Sequence, residues 1–174
     1  MTGPHTLAVE RLPLADLRLV RTLRLRALRD APSAFAETEA DALTQPDDYW
    51  LRLATSMTGS APNAMLVARL GEDVVGSCYA LVDGNDPDVG RIGGMWVDSK
   101  HRRHGVGRAL VDAVRRWTER PPRTCLRLWV PVDASEARAF YAAAGFVSTN
   151  RERPFPSDPT RSIVEMELSL TTRW

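Results

Sequence analysis

The sequence has little cysteine, almost no net charge and no long apolar run. Only Cys78 and Cys125 occur in 174 residues, which is too few for a disulfide framework and fits reduced thiols in a cytosol. The formal net charge is +1, so no overall field attracts nucleic acid or a membrane surface. No apolar run approaches the ~20 residues of a transmembrane helix. These absences predict a cytoplasmic protein without nucleic-acid or membrane partners.

The remaining composition is that of an ordinary folded domain. Hydrophobic residues make up 44% of the chain and charged residues 26%, as in typical globular proteins. Because domains usually contain ~100–200 residues, we predict a single domain over residues 1–174. The first ten residues, MTGPHTLAVE, have neither the basic nor the apolar region of a secretory signal.

Strand and helix patterns mix along the chain and predict an α+β fold. Apolar and alternating runs predict strands at NAMLVARL, VVGSCYALVD, VGRIGGMWVD, TCLRLWVPV and RSIVEMELSL. Helical spacing predicts helices over residues 14–29, after His104 and over DASEARAFYAAAGF. The central strand–helix–strand order is compatible with a parallel crossover.

The stretch HRRHGVGRAL places basic residues and two glycines at the predicted start of a helix. A helix N-terminus presents unpaired N–H groups and a partial positive charge. The absence of Cβ atoms at Gly105 and Gly107 lets a ligand approach the backbone closely. Cationic donors surround the glycines: Arg102, Arg103 and Arg108. Since cations are unfavourable at this end of a helix by themselves, the pattern predicts a bound polyanion.

Several other chemistries fail on spacing. No Gly-Lys pair of a P-loop occurs, and Leu110 stands where a dinucleotide fingerprint needs its third glycine. His101 and His104 lack a nearby third ligand, so no metal site is predicted. Cys125 has no evident histidine partner, and no Gly-x-Ser-x-Gly elbow occurs.

The pattern that does fit is R-x-x-G-x-G, from Arg102 to Gly107. In this the chain resembles the GCN5-related N-acetyltransferase (GNAT) superfamily, whose pyrophosphate-binding loop carries [QR]-x-x-G-x-[GA]. The preceding strand, the following helix, the segment EARAFYAAAGF and the final strand match the family's order and spacing from Asn63 onward. The resemblance implies a GNAT fold, with a mixed central sheet of about six to seven strands flanked by about four helices and splayed at the acetyl-CoA site.

The resemblance also implies acetyl-CoA as cosubstrate and assigns residues to it. In the family, the pantetheine arm inserts between two splayed strands like an extra strand. Met95, Trp96 and Val97 occupy the corresponding strand, where Gly93 and Gly94 would permit a bulge. An amide of this strand could hold the acetyl oxygen. The diphosphate would bind the loop of Arg102, Arg103, His104, Gly105, Val106, Gly107 and Arg108.

Tyr141 matches the tyrosine that the family commonly uses to protonate the departing CoA thiolate. A phenol of pKa ~10 can donate to a thiolate of pKa ~8.5 within hydrogen-bond reach. The structural alternative is a core aromatic residue beside Phe140. One departure concerns the asparagine that many members carry before the following helix, because Ala134 stands there. Asp133 or Ser135 could take its place, or the contact is lost.

The acceptor side is specified less well. The strand that bears Met95 has Arg91 and two glycines but no carboxylate, so the general base is not evident. Glu37, Glu39 and Asp41 lie in the segment that usually borders the acceptor site, and they fit a solvated helix face equally well.

Arginine and aromatic residues of the first helices also allow two interpretations. Arg21 and Arg24 share the apolar sector of the first helix, where they either line a cleft or extend to its edge, and we favour the edge. The aromatic residues either shape an acceptor pocket or pack in the core: Phe35, Tyr49 and Trp50.

We therefore predict an acetyl-CoA-dependent N-acetyltransferase that transfers acetyl directly to a primary amine in a ternary complex, with a small molecule as the preferred acceptor. A protein N-terminus or lysine is the alternative acceptor. A degenerate acyl-CoA-binding sensor or docking domain is the alternative from another class, because Ala134 and the missing strand carboxylate depart from the family pattern. Homodimers are frequent in the family, so a homodimer is compatible with this chain.

Overall fold

A computed structural model describes residues 6–13, 17–59, 61–119 and 123–170, so the expectations for residues 1–5 and for Leu14 lie outside it. The strands in these ranges are β1 (Leu7–Arg11), β2 (Ala64–Leu70), β3 (Asp73–Val82), β4 (Val89–Val97), β5 (Cys125–Pro131), β6 (Val147–Phe155) and β7 (Asp158–Ser169). The helices are α1 (Leu17–Asp30), α2 (Glu39–Thr44), α3 (Asp47–Met57), α4 (Val106–Thr118) and α5 (Ser135–Ala143).

The seven strands form one mixed sheet in the order β1-β2-β3-β4-β5-β7-β6. All neighbours are antiparallel except β4 and β5. Helix α4 makes the crossover between these two parallel strands, as the sequence predicted. The α+β class and the mixed sheet are confirmed, with five helices in the described ranges instead of about four.

The sheet separates two hydrophobic layers. On one face, α4 and α5 cover the apolar side chains of β2 to β5 and of β7. On the other face, α1 and α3 pack on β2, β3 and Trp96 of β4. No helix in the described ranges is both long and apolar enough to cross a bilayer. Each face of the sheet is thus covered by its own apolar layer.

Helix α4 forms because its apolar residues recur at helical spacing. Val106, Leu110 and Val114 lie on one stripe and are buried against the sheet. Burying a side chain of this size contributes roughly 1.5–3 kcal/mol. Arginines and Glu119 occupy the opposite face of the helix. The packing therefore fixes the direction of α4 and the position of its N-terminus beside the end of β4.

Strand β6 carries almost no hydrophobic signal. Most of its residues are exposed, and it lies at the edge of the sheet beside β7. Its register with β7 shifts between Ser148 and Glu152, where Asn150 has φ of +61°. The sequence VSTNRERPF therefore forms a strand because β7 offers hydrogen-bonding partners, and its own residues give little indication of it.

Candidate active site

Strands β4 and β5 pair over only three residues before they part. Val89, Gly90 and Arg91 pair with Cys125, Leu126 and Arg127. Beyond this point, β4 continues along β3 to Val97, and β5 continues along β7 to Pro131. Within the described residues, the second halves of β4 and β5 thus form no strand pairing on the sides that face each other. This is the predicted splay in the sheet.

A bulge in β4 lies beside the splay. Tyr79 of β3 pairs with Gly93, but Ser77 pairs with Trp96, so β4 contains one extra residue between these pairs. Gly94 has φ of +55°, and a Cβ atom there would lie 2.7 Å from two ring carbons of Tyr79. Only glycine meets both requirements, which confirms the bulge expected at Gly93-Gly94.

The N-terminus of α4 is open at Gly105. This residue precedes the helix with φ of +82°, and no side chain caps the helix there. The first N–H groups of α4 consequently have no helical acceptor. A Cβ atom at Gly105 would find no atom within 4 Å, so the space beside the backbone is free. These features fit a diphosphate.

Gly107 has a different reason to be glycine. A Cβ atom there would lie 3.2 Å from Cζ of Phe140 on α5. The missing side chain therefore lets α4 and α5 pack closely, whereas the sequence suggested that it opens the backbone to a ligand. The requirement for glycine in the motif thus has two causes, a left-handed backbone at Gly105 and helix packing at Gly107.

The three loop arginines all have carboxylate partners. Arg102 Nη2 donates to Asp30 Oδ2 at 2.6 Å, and Arg102 Nε donates to the Val97 carbonyl oxygen at 3.1 Å. The other two pairs are Arg103 with Glu136 at 3.4 Å and Arg108 with Asp112 at 3.2 Å. His104 Nδ1 lies 2.7 Å from the Arg102 carbonyl oxygen. Of the three carboxylates, Asp30 is the most shielded from solvent. The side chains of Arg103 and Glu136 are 86% and 89% exposed, so their pair contributes little.

Tyr141 lies on the α4/α5 face, in the apolar layer with Ile92 of β4 and Leu128 of β5. Its ring is edge-on to Phe140 and Phe146, with centroid distances of 5.0 and 5.7 Å. Burial raises the pKa of the Tyr141 hydroxyl, so the phenol keeps its proton at neutral pH. The position therefore satisfies the core interpretation and also places a proton donor in the layer beneath the separating strands.

Asp133 is not free to replace the family's asparagine. Both of its carboxylate oxygens accept hydrogen bonds from Arg161 of β7, each at 2.8 Å. Ala134 is the N-cap residue of α5 and offers no side-chain acceptor. Of the residues considered at the sequence level, Ser135 is left as the polar candidate.

On the opposite face of the sheet, the structure separates the three carboxylates of residues 37–41. Glu39 pairs with Arg29 at the surface, and Asp41 accepts from Thr38 at the start of α2. Glu37 instead accepts from Arg24 Nε at 2.9 Å, and both side chains are less than one fifth exposed. Arg24 thus turns inward with a partner, contrary to the expected position at the edge, whereas Arg21 is 40% exposed and pairs with Asp47 at 3.3 Å.

Two tyrosines accompany the Arg24–Glu37 pair. Burial raises the pKa of Tyr79 to about 12, and that of Tyr49 is also raised. The negative charge of Glu37 also raises both pKa values, and the positive charge of Arg24 lowers them. Phe35 and Trp50 are buried in the core. Phe35 nevertheless borders this polar group, because the guanidinium carbon of Arg24 lies 4.9 Å from the centroid of its ring.

A buried ionic network lies on the same face of β4 and β7. Arg91 donates to Asp83 and, at 3.3 Å, to Glu165 of β7. Glu165 is fully buried and also pairs with Arg151 at 3.3 Å. A carboxylate absent from β4 is thus supplied by β7, although two arginines enclose it. Sequence reasoning missed Glu165, and its only signal was a charge in an alternating apolar strand.

Comparison with known proteins identifies the class. Residues 25–146 match the acetyltransferase (GNAT) family. Two mycothiol acetyltransferases are similar in sequence. That of Thermobifida fusca is 30% identical over 81% of this chain and 40% of its own length. That of Thermomonospora curvata is 34% identical over 69% of this chain and 46% of its own length. The chain thus spans less than half of these curated relatives.

A solved structure shares the fold. The acetyltransferase yncA of Salmonella typhimurium, solved with its cofactor acetyl-CoA, superposes with a TM-score of 0.75 at 14% identity, covering 97% of this chain and 96% of the other. The chain belongs to the GNAT family of acetyltransferases, whose members use acetyl-CoA. The resemblance to this family that the sequence predicted is thus confirmed.

Proposed function

We propose that this protein transfers an acetyl group from acetyl-CoA to a primary amine of a small molecule, directly in a ternary complex. The observation that carries the proposal is the gap between β4 and β5, which leads to the uncapped N-terminus of α4. An extended chain with amide groups fits the gap, and an anion fits the helix end.

The coenzyme would be held mainly by main-chain groups. Backbone groups of Met95, Trp96 and Val97 would pair with the pantetheine arm along the unpaired side of β4. The N–H groups after Gly105 would bind the diphosphate, and the loop side chains would surround it: Arg102, Arg103, His104 and Arg108. The bound thioester supplies the acyl group.

Tyr141 is proposed as the general acid. Its burial keeps the hydroxyl protonated, so it can give a proton to sulfur as the carbon–sulfur bond breaks. It regains the proton from solvent when the product leaves.

Glu37 is proposed as the residue that receives the acceptor's proton. Tyr79 packs on the bulge at Gly94, and the charge of Glu37 raises the pKa of this tyrosine, which supports a position of the carboxylate on the acceptor side of the gap. The acceptor loses one proton to solvent before it attacks the acetyl carbon. The second N–H proton passes to Glu37 as the amide forms, and Glu37 releases it to solvent when the product leaves. Arg24 holds the carboxylate in place.

A small-molecule acceptor is supported by the two curated relatives, which are acetyltransferases named for mycothiol and not for a protein. The Glu37 side chain is only 19% exposed, and this setting also suits a compact amine better than a folded protein surface. The acceptor's identity depends on side chains of this segment.

The decisive experiment measures release of free CoA thiol from acetyl-CoA with a panel of small amines and peptides. Turnover with small amines supports the proposal, and turnover only with peptides indicates a protein acceptor. Binding of acetyl-CoA without turnover indicates a sensor. Lys100 is the only lysine in the sequence, so Lys100→Arg provides a control for acetylation of the enzyme itself.

A further inference from the structure

Asp30 joins three parts of the molecule. Its Oδ2 atom accepts from Trp96 Nε1 of β4 at 2.9 Å and from Arg102 Nη2 of the loop at 2.6 Å. Asp30 itself is the last residue of α1, and its side chain is 23% exposed. One carboxylate oxygen thus connects an acceptor-side helix, the coenzyme strand and the coenzyme loop.

The location of Asp30 is unfavourable for the helix alone. A negative charge at a helix C-terminus opposes the macrodipole and lowers helix stability. The donors from Trp96 and Arg102 compensate this cost only in the folded protein. A carboxylate here is therefore explained by its tertiary contacts and not by the stability of α1.

The loop that Asp30 contacts has an unusual backbone. Arg103 has φ of +63° and Gly105 has φ of +82°. A left-handed conformation is unfavourable for a non-glycine residue, so neighbouring contacts must hold the loop in this shape. Arg102 directly precedes Arg103 and is attached at two points, Asp30 and the Val97 carbonyl oxygen.

We propose that Asp30 is a positioning residue for the coenzyme loop. It holds Arg102 against the end of β4, and Arg102 in turn fixes the strained turn that receives the diphosphate. Arg102 then links the loop to Asp30 and to the end of β4 and does not bind the coenzyme itself, while the main-chain N–H groups of α4 bind the phosphates. This inference rests on the proposed function, because it assigns a role within the same coenzyme site.

The test is a double-mutant cycle with Asp30→Asn and Arg102→Met. Calorimetry with CoA measures affinity, and thiol release measures kcat and KM. We expect each substitution to weaken CoA binding about tenfold, as for loss of a charged hydrogen bond. The double variant should be no weaker than either single variant, because both remove one contact. The value of kcat at saturating acetyl-CoA should change less than twofold.

A competing arrangement predicts the opposite change in the CoA affinity of Asp30→Asn. If Arg102 binds the diphosphate directly, Asp30→Asn frees its guanidinium, and CoA should bind as tightly as before or more tightly. That result, or additive losses in the double variant, would overturn the proposal. If Asp30→Asn does not fold, Asp30→Glu replaces it, because it keeps the charge but displaces the carboxylate from Arg102: weaker CoA binding with unchanged kcat supports the role of Asp30, and unchanged or tighter binding refutes it.

Two controls separate this inference from the function itself. Glu119→Gln removes a surface pair with Arg115 at the far end of α4 and should leave CoA binding unchanged. Wild-type protein that fails to bind CoA would refute the proposed function, whereas normal wild-type binding with unaffected Asp30→Asn refutes only the role of Asp30. Thermal unfolding of each variant shows whether a change in affinity reflects loss of the folded state.

Discussion

The proposed coenzyme side and the proposed acceptor side of the gap are built by different means. On the coenzyme side, the decisive features are backbone features: the separation of β4 from β5, the bulge at Gly94 and the open helix end at Gly105. On the acceptor side, the features are side-chain pairs such as Arg24 with Glu37 and Arg91 with Glu165.

This difference follows from what each side has to recognise. A diphosphate and an amide-containing arm can be bound by main-chain N–H and C=O groups, which every sequence offers once the backbone has the right shape. An acceptor amine needs specific charges and shapes, which only side chains supply. The coenzyme side can therefore be shared across a family while the acceptor side varies with the substrate.

The largest expected effect tests the backbone character of the coenzyme side. We expect Gly105→Glu to weaken CoA binding on the order of 100-fold or more, because it adds strain at a left-handed residue and a negative charge where an anion binds. Calorimetry with CoA measures the loss. Gly84→Glu provides the control, since Gly84 also has open space around it but lies in the β3–β4 loop. Unchanged affinity in Gly105→Glu would refute the loop assignment.

The second prediction concerns chemistry between the two sides. Tyr141→Phe should lower kcat about 100-fold, in the usual range for loss of general acid catalysis, with little change in CoA affinity. Burial raises the pKa of the phenol, so the hydroxyl stays protonated at pH values above the ordinary pKa of tyrosine. Catalysis by this group should therefore persist as the pH rises through 10. Full turnover by the variant at saturating amine would remove Tyr141 from catalysis.

A third prediction tests the side-chain character of the acceptor side. Glu37→Gln should lower kcat/KM for the amine about tenfold or more, while CoA affinity stays constant, because the amide keeps a hydrogen bond to Arg24 but cannot accept the proton. Glu39→Gln is the matched control, since its partner Arg29 lies at the surface. Equal activity of the two variants would contradict the role of Glu37.

The smallest expected effect concerns stability at the bulge that joins the two sides. Gly94→Ala should lower the free energy of unfolding by about 2–4 kcal/mol, through left-handed strain and overlap with Tyr79. Gly93→Ala should cost about 1 kcal/mol, because its Cβ would meet only the end of Leu81 at 3.2 Å. Chemical denaturation measures both. Equal losses would show that the left-handed conformation of Gly94 contributes little.

The sequence was informative where structure depends on local pattern. The periodicity of α4, the crossover and the bulge at Gly93-Gly94 could all be predicted. The hydrogen bond from Arg102 to Asp30 could not be predicted, because the two residues are 72 positions apart in the chain. The inward position of Arg24 could not be predicted either. A helical wheel shows which face of the helix carries a side chain, but it does not show which carboxylate pairs with that side chain.

By itself, the sequence determined the α+β class, the family and the placement of a glycine-bearing loop at a helix N-terminus, since periodicity and glycine requirements are properties of short segments. Only the tertiary structure decided which charges meet: that Glu37 faces Arg24 while Glu39 faces solvent-exposed Arg29, that Glu165 is enclosed by arginines, and that Asp30 holds the loop. The physical reason is that ion pairs form between residues distant in the chain, and their geometry exists only after the sheet and helices have packed.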